Sequence, residues 1–195
     1  MRSRQHRRNE NRFIGSSEKQ TFLTAELIEN GGSWELNNIF AATASDLGRT
    51  VAEAKPLLLK LNNADTSRRP SPAKWSKKEI LGHLMDSATN NHQRFVRAAI
   101  QGKLVFPGYE QEQLVGLQRF KEIDWGFLVD LWASYNRFLA HVLTCLPARA
   151  AKVSCKIGKN KPATLGWIAE DYVAHLKHHL NQILGQKFMT DYGKE

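Results

Sequence analysis

The stretch WSKKEILGHLMDSATNNHQRF (residues 75–95) carries the plainest helix pattern in the chain. Ser76 and Glu79 have the spacing of a capping box, in which each side chain accepts a hydrogen bond from the other residue's backbone N–H. Apolar side chains then recur at three- and four-residue steps along one side, and these are Leu81, Leu84, Met85, Ala88, Phe95 and Ala99. The pattern predicts a helix from Ser76 to about Ala99.

The opposite side of this helix is polar. With His83 as the reference and about 100° per residue, five polar side chains fall within about 60° of it: Glu79, Asp86, Ser87, Asn90 and Arg94. The stripe consists largely of short hydrogen-bonding groups and contains no lysine. It is compatible with a solvent-exposed face and equally with a pocket wall, where every polar atom needs a fixed partner.

A second histidine-bearing helix is predicted over residues 164–185, and it contains HLKHHLNQ (residues 175–182). One side of it carries the polar residues Asp171, His175, His178, His179, Gln182 and Gln186. Because His175 and His179 are four residues apart, their imidazoles can reach one metal ion. A zincin peptidase would need glutamate directly after the first histidine, where this chain has Leu176. The spacing therefore favours a metal site but not peptidase chemistry of that kind.

Two further helical patterns bring the number of predicted long helices to four. One begins near Asp46 and is bent or limited by Pro56. The other covers roughly residues 124–145, and its predicted apolar face is Phe127, Leu128, Leu131, Tyr135, Phe138, Leu139 and Val142. Polar connections separate the four helices and no strand hairpin is evident, so the predicted fold is an all-α four-helix bundle. The bundle is assigned to residues 46–190, with a basic disordered tail at 1–20 and an extension with short helices at 21–45.

Composition narrows the class of protein. The chain has 195 residues, a formal net charge of +9 and 42% hydrophobic residues, enough for one domain with a sizeable core. No apolar run reaches the roughly 18 residues that a membrane span requires, so no membrane association is expected. Two cysteines, Cys145 and Cys155, are too few for a disulfide scaffold. Reduced thiols and a cytoplasmic location are the expectation.

The two histidine stretches, WSKKEILGHLMDSATNNHQRF (75–95) and YVAHLKHHLNQI (172–183), together resemble the DinB-like superfamily, and in particular its YfiT-like branch of metal-dependent hydrolases. The linker FPGYEQEQLV (106–115) also resembles that branch, and the resemblance spans roughly residues 45–187. It implies a four-helix bundle with a long crossover connection and a homodimer.

The resemblance also implies a ligand set for a divalent metal, with zinc or nickel favoured. Carried onto this chain, the ligands are His83, His175 and His179. His178 corresponds to a histidine that neighbours the last ligand in some relatives without binding the metal. It is expected to line the pocket or to support the ligands.

Three neutral imidazoles leave an open position on the metal, which is typical of a catalytic site. Such an ion could activate water or a thiolate, so the alternatives are a hydrolase and a transferase that uses a low-molecular-weight thiol. Either would act on a small-molecule substrate. Asp86 is a candidate base or a partner for a ligand histidine, while Asn90 and Arg94 are candidates to hold an anionic substrate group. Tyr109 and Glu110 are candidates for the pocket rim.

Two functions of other classes compete with the enzyme. One is a non-catalytic metal-binding or stress-response protein, which would use the same histidines. The other is a nucleic-acid-binding module that would use the basic tail and the loop KIGKNKP (156–162). The second is disfavoured, because the chain has no recognised nucleic-acid-binding motif and no aromatic residues among the basic ones.

Overall fold

The computed structural model of the chain describes residues 39–192. The predicted basic tail at 1–20, and residues 21–38 of the predicted extension, lie outside this range. The first described helix, α1 (Ile39–Leu58), includes residues 39–45, which the sequence analysis placed in the extension. It ends two residues after Pro56, as the sequence indicated.

The described residues form four long helices, and these confirm the predicted all-α four-helix bundle. They are α1 (Ile39–Leu58), α3 (Lys77–Gln101), α5 (Trp125–Thr144) and α6 (Leu165–Leu184). Short helices α2 (Asn63–Ser67) and α4 (Gln111–Gln118), with 3-10 turns at Phe120–Glu122 and Ala148–Lys152, lie in the connections. Both α1 and α3 pack against α5 and α6. Helices α1 and α3 therefore lie diagonally opposite each other, as do α5 and α6, and the connections from α1 to α3 and from α5 to α6 cross the bundle.

The helix ends follow the capping residues in the sequence. Ser76 and Glu79 form the predicted capping box at the start of α3, and Gly102 ends that helix in the left-handed conformation, with φ 69°. Thr164 caps α6 through a hydrogen bond from the Trp167 backbone N–H. These caps fix where the helices that carry the histidines begin, and with it the faces that the histidines occupy.

A small sheet, which was not predicted from the sequence, joins the connection between α3 and α5 to the connection between α5 and α6. Its strands are β1 (Lys103–Phe106), β2 (Ser154–Ile157) and β3 (Ala163–Thr164). β1 pairs in parallel with β2, and β2 pairs antiparallel with β3. The strands are too short for their alternation to be visible, and the first pairing joins segments far apart in the chain. The sheet sets the loops after β1 and β2 side by side, where the Gly158 N–H donates to the Phe106 carbonyl at 2.8 Å.

The core lies among the four long helices, with Phe40, Leu84, Phe95, Trp132 and Leu176 almost fully buried. The predicted apolar face of α5 was partly wrong. Three of its members are largely exposed: Phe127 at 61%, Leu131 at 41% and Phe138 at 48%. The core instead receives residues such as Trp132 and Val129, because α5 carries apolar side chains on most of its circumference.

Within residues 39–192, no helix has both the length and the apolar character needed to cross a membrane. Cys145 is exposed and Cys155 is buried, and both are free thiols.

Candidate metal centre and adjoining pocket

The three histidines predicted as ligands meet inside the bundle. His83 comes from the middle of α3, and His175 and His179 come from successive turns of α6. One ring nitrogen from each lies within 4.8 Å of the others. His83 is fully buried, and its Nε2 lies 3.1 Å from the Nε2 of His175. Packing of α3 against α6 therefore produces the cluster.

The spacing of these nitrogens suits a small divalent ion. Two imidazole nitrogens on one tetrahedral zinc are roughly 3.4 Å apart, given Zn–N distances of about 2.0–2.1 Å. The nitrogens of His83 and His175, at 3.1 Å, are close to that separation, and all three nitrogens lie within 4.8 Å of one another. The ring centroids are 4.5–5.1 Å apart and the rings meet edge to face. The nitrogens therefore converge on one point and the rings do not stack.

The surroundings keep these imidazoles neutral. Burial, reinforced by the nearby His179, lowers the pKa of His83 to about 4. Burial and the neighbouring histidines lower the pKa of His175 to about 2, and burial also lowers the pKa of His179. A neutral imidazole keeps a free lone pair, which is the form that binds a metal ion.

A glutamine one turn further along α6 orients the His179 ring. His179 Nδ1 donates to the Gln182 Oε1 at 2.9 Å, which leaves Nε2 of the same ring free to face the cluster. The Gln182 amide then donates to Nε2 of His178 at 3.0 Å. His178 thus contacts Gln182, the hydrogen-bond partner of His179, and lies outside the three-histidine cluster. Hydrogen bonds of this kind fix the tautomer of a ligating histidine.

Close packing on the other side fixes His83. A side chain at position 82 would collide with the buried Phe120 ring, so Gly82 allows α3 to approach this aromatic residue. The Trp75 ring lies 5.1 Å from the His83 ring, and its Nε1 donates to Glu112 at 3.1 Å. The buried Nδ1 of His83 has no hydrogen-bond partner among the described residues.

Asp86, one turn after His83, is buried but only half satisfied. Its Oδ1 accepts a hydrogen bond from Gln118 at 2.8 Å. Its Oδ2 is buried and finds no partner in the described part of the chain. Burial raises the pKa of this carboxyl. A buried carboxylate with an unused oxygen suits a group that accepts a proton, one of the two roles predicted for Asp86. The other predicted role was partner to a ligand histidine, whereas the hydrogen bond of Asp86 is to Gln118.

A cavity of about 310 Å³ adjoins His175 and contains Arg94. The Arg94 guanidinium donates to the Asn91 side chain at 3.3 Å and lies 5.7 Å from the centre of the Phe106 ring. Its buried Nε has no partner among residues 39–192. Burial lowers the pKa of Arg94, and the nearby Tyr109 and Asp171 oppose that shift. The cavity thus contains a guanidinium group with an unused hydrogen-bond donor, which suits an anionic ligand.

Two of the other predicted site residues lie outside this lining. Asn90 is half-buried and donates its amide to the Asp86 carbonyl at 2.9 Å, and Glu110 is exposed at the start of α4. Tyr109 does line the cavity, as predicted.

Several residues that line the cavity were not predicted to do so from the sequence. They are Ser87, Asn91, Lys159, Trp167, Asp171 and Tyr192. Ser87 and Asp171 had already fallen on the histidine faces of their helices. That periodicity was the one signal that pointed to them.

A second cavity, of about 530 Å³, reaches the cluster from the side of His179. Trp75, Ile80, Glu112 and Gln182 line it together with His179. The histidines therefore lie between a polar cavity at His175 and a more apolar one at His179.

A model of the DinB superfamily matches residues 46–183 of the chain. The fold is also similar to the solved structure of YfiT from Bacillus subtilis, a probable metal-dependent hydrolase with an unusual four-helix bundle topology. The two proteins are 17% identical, with a TM-score of 0.66 over 90% of this chain and 89% of YfiT. No curated protein sequence matches the chain. Because the family model covers most of its length, the chain belongs to the DinB superfamily.

Proposed function

We propose that this DinB-superfamily protein is a metal-dependent hydrolase of small anionic molecules. The observation that supports it best is the convergence of His83, His175 and His179, three neutral imidazoles, beside a cavity that contains Arg94. YfiT, which shares the fold, is described as a probable metal-dependent hydrolase. Zinc or nickel is the proposed metal, and the cytoplasm is the proposed setting, where Cys145 and Cys155 would stay reduced.

The proposed roles of the protein groups follow from their positions. The three histidines would hold the ion, and Gln182 would keep the His179 lone pair directed at it. When bound, a divalent ion would lower the pKa of a coordinated water to about 7. Arg94 would anchor a carboxylate or phosphate of the substrate through its donors, since charge-assisted hydrogen bonds are about twice as strong as neutral ones. Asp86, with its free oxygen, is the proposed proton acceptor.

A thiol-dependent transferase is the second candidate, and the two cavities support it. A transferase must bring two molecules to one centre. Here the cavity at His175 and the cavity at His179 reach the cluster from different sides. A low-molecular-weight thiol would occupy one of them and its electrophilic partner the other.

Metal content tests the shared part of both proposals. Protein purified without a nickel column should contain close to one zinc or nickel ion per chain by elemental analysis. His83→Ala and His175→Ala should lower that content at least tenfold. His92→Ala is the matched control, because His92 lies on the same helix as His83 but bonds to Tyr135. Full metal content in the two ligand variants would contradict the assignment.

Turnover separates the reactions. Wild type and His179→Ala should be compared on ester and amide panels with water alone, and on electrophiles supplied with cellular thiols. Metal-dependent turnover with water alone supports the hydrolase, and turnover that requires a thiol supports the transferase. Stoichiometric metal without turnover on any panel would favour a non-catalytic metal-binding protein.

A further inference from the structure

The C-terminal segment after α6 folds back onto that helix, and one side chain holds it there. Gly185 ends α6 with φ 75°. The Asn181 Oδ1 then accepts hydrogen bonds from the backbone N–H groups of Lys187 and Phe188, both at 2.9 Å. Its Nδ2 donates to the Phe188 carbonyl at 2.8 Å. Three hydrogen bonds from one amide, with Phe188 packed against the core, give the segment a fixed direction.

The fixed direction carries Tyr192 to the histidine cluster. Thr190 Oγ1 donates to the Ala174 carbonyl at 3.1 Å and accepts from the Tyr192 N–H at 3.2 Å. The Tyr192 ring then meets His175 edge to face, with 5.2 Å between ring centres, and lies 5.5 Å from the His178 ring. An aromatic side chain near the end of the chain thus covers a predicted metal ligand.

Tyr192 also lines two neighbouring cavities. The cavity of about 310 Å³ contains Arg94 and His175, and a neighbouring cavity of about 570 Å³ is lined by Asp46 and Lys177. Tyr192, Trp167 and Asp171 line both. Asp171 and Trp167 belong to α6 and are fixed by the helix. Tyr192 belongs to the folded-back segment, so it is the part of the shared lining that can be removed without changing a helix of the bundle.

We propose that Tyr192 is a specificity-determining residue, because its ring is the wall that limits the length of an anionic ligand bound at Arg94. This rests on the proposed function, in which the Arg94 cavity receives the substrate. With the wall in place, a carboxylate on Arg94 has only the smaller cavity for the rest of the molecule. Without it, the two cavities join and a longer aromatic carboxylate fits. The ligand class is therefore compact carboxylates.

The binding test uses metal-loaded full-length protein and two probes, benzoate and the longer biphenyl-4-carboxylate, measured by calorimetry. Tyr192→Ala should bind biphenyl-4-carboxylate at least tenfold more tightly than wild type, with less than a threefold change for benzoate. Asn181→Ala, which releases the segment, should act in the same direction. Tyr192→Phe keeps the ring and should match wild type. Gln186→Ala, in the same segment but exposed and outside the linings of both cavities, is the control and should also match it. An unchanged ratio of the two affinities in Tyr192→Ala would overturn the proposal.

A second measurement needs neither metal nor substrate. In metal-free protein, diethyl pyrocarbonate should modify His175 and His178 at least fivefold faster in Tyr192→Ala and Asn181→Ala than in wild type, as followed by peptide mass spectrometry. Unchanged labelling alongside normal benzoate binding would overturn the role of Tyr192 and leave the proposed function in place. Faster labelling without binding of either anion by any variant would overturn the anion pocket, and the specificity role with it.

Discussion

One buried face of α3 is polar, whereas one exposed face of α5 is apolar. On α3, His83 is fully buried, and Asp86 and Ser87 are 7% and 3% exposed. On α5, Phe127 and Phe138 are 61% and 48% exposed. Each helix thus has one face that departs from the usual distribution of side chains in a bundle, in addition to the apolar face that it contributes to the core.

The two reversals have different meanings. Burying polar groups costs free energy unless they are hydrogen-bonded, so a protein retains them where they have a task. The buried face of α3 adjoins the histidine cluster, which gives it one. Exposed apolar residues are common on protein surfaces and need no special explanation unless they form a large patch. The α3 face is therefore the more informative of the two.

The largest expected change in stability is at a buried aromatic residue of α5, and an exposed aromatic residue of the same helix provides the comparison. Trp132→Ala should lower the free energy of unfolding by about 3–5 kcal/mol, because it leaves a cavity at a fully buried site. Phe127→Ala should change it by no more than about 0.5 kcal/mol, as expected for a surface side chain. Urea denaturation at two protein concentrations measures both. A loss above about 1.5 kcal/mol for Phe127→Ala, growing with concentration, would instead place this face in the homodimer that the family resemblance implies.

The second largest expected change in stability is at Glu79, a buried carboxylate on α3. The Glu79 carboxylate accepts hydrogen bonds from Arg69 Nε at 2.9 Å and from the Ser76 hydroxyl at 2.7 Å. Burial raises the pKa of Glu79, but these bonds outweigh it and lower the pKa to about 2. Because the pKa of Glu79 is lower in the folded chain, its ionised carboxylate stabilises the fold at pH values above the ordinary pKa of a carboxyl group. That stabilisation is lost as the pH falls toward 2.

Glu79→Gln should therefore lower the free energy of unfolding by about 1–2 kcal/mol at pH 7, since Arg69 is partly exposed and water screens the pair. The difference from wild type should shrink steadily between pH 5 and pH 2, because the wild-type carboxylate becomes protonated there. Denaturation at several pH values measures it. Glu53→Gln, on an exposed position of α1, is the control. A difference that stays constant with pH would show that Glu79 acts by packing and not by charge.

The long helices and the histidine cluster could be predicted from the sequence because local rules encode them. Ser76 and Thr164 are capping residues at helix starts, and the helix ends agree with them to within about two residues. The candidate ligands His175 and His179 lie one turn apart on a single helix, so their spacing alone predicted that they lie together. His83 was added by the family resemblance, and the packing of α3 on α6 brings it to the pair.

The rest depends on contacts between distant segments. Leu104 pairs with Cys155 across strands of only four residues, which no periodicity reveals. Asn91 lines the cavity next to Arg94 and its neighbour Asn90 does not, because the direction of the pocket is set by α6 and by the loops. The predicted apolar face of α5 was partly wrong for a related reason. A helix that is apolar on most sides does not indicate which side the bundle will cover. Long-range packing decides each of these.

The smallest expected effect concerns whether the buried polar face of α3 lowers the stability of the bundle. Burial raises the pKa of Asp86, so its ionised form is less favourable in the folded than in the unfolded chain. The resulting destabilisation is absent below about pH 4, where the carboxyl is protonated in both states, and it is complete above the folded-state pKa.

Asp86→Asn keeps an oxygen for Gln118 and cannot ionise. In metal-free protein it should therefore raise the free energy of unfolding by about 1 kcal/mol at pH 7 and by nothing near pH 3. Asp130→Asn, at an exposed position of α5, removes a surface ion pair with Lys55 at 2.8 Å and should lower stability by no more than about 1 kcal/mol at pH 7, opposite in sign to Asp86→Asn. If Asp86 is the proton acceptor, the stabilised variant should also lose turnover. A lower stability of Asp86→Asn at pH 7 would mean that a partner satisfies the ionised carboxylate, and that this face of α3 stabilises the bundle as an apolar core would.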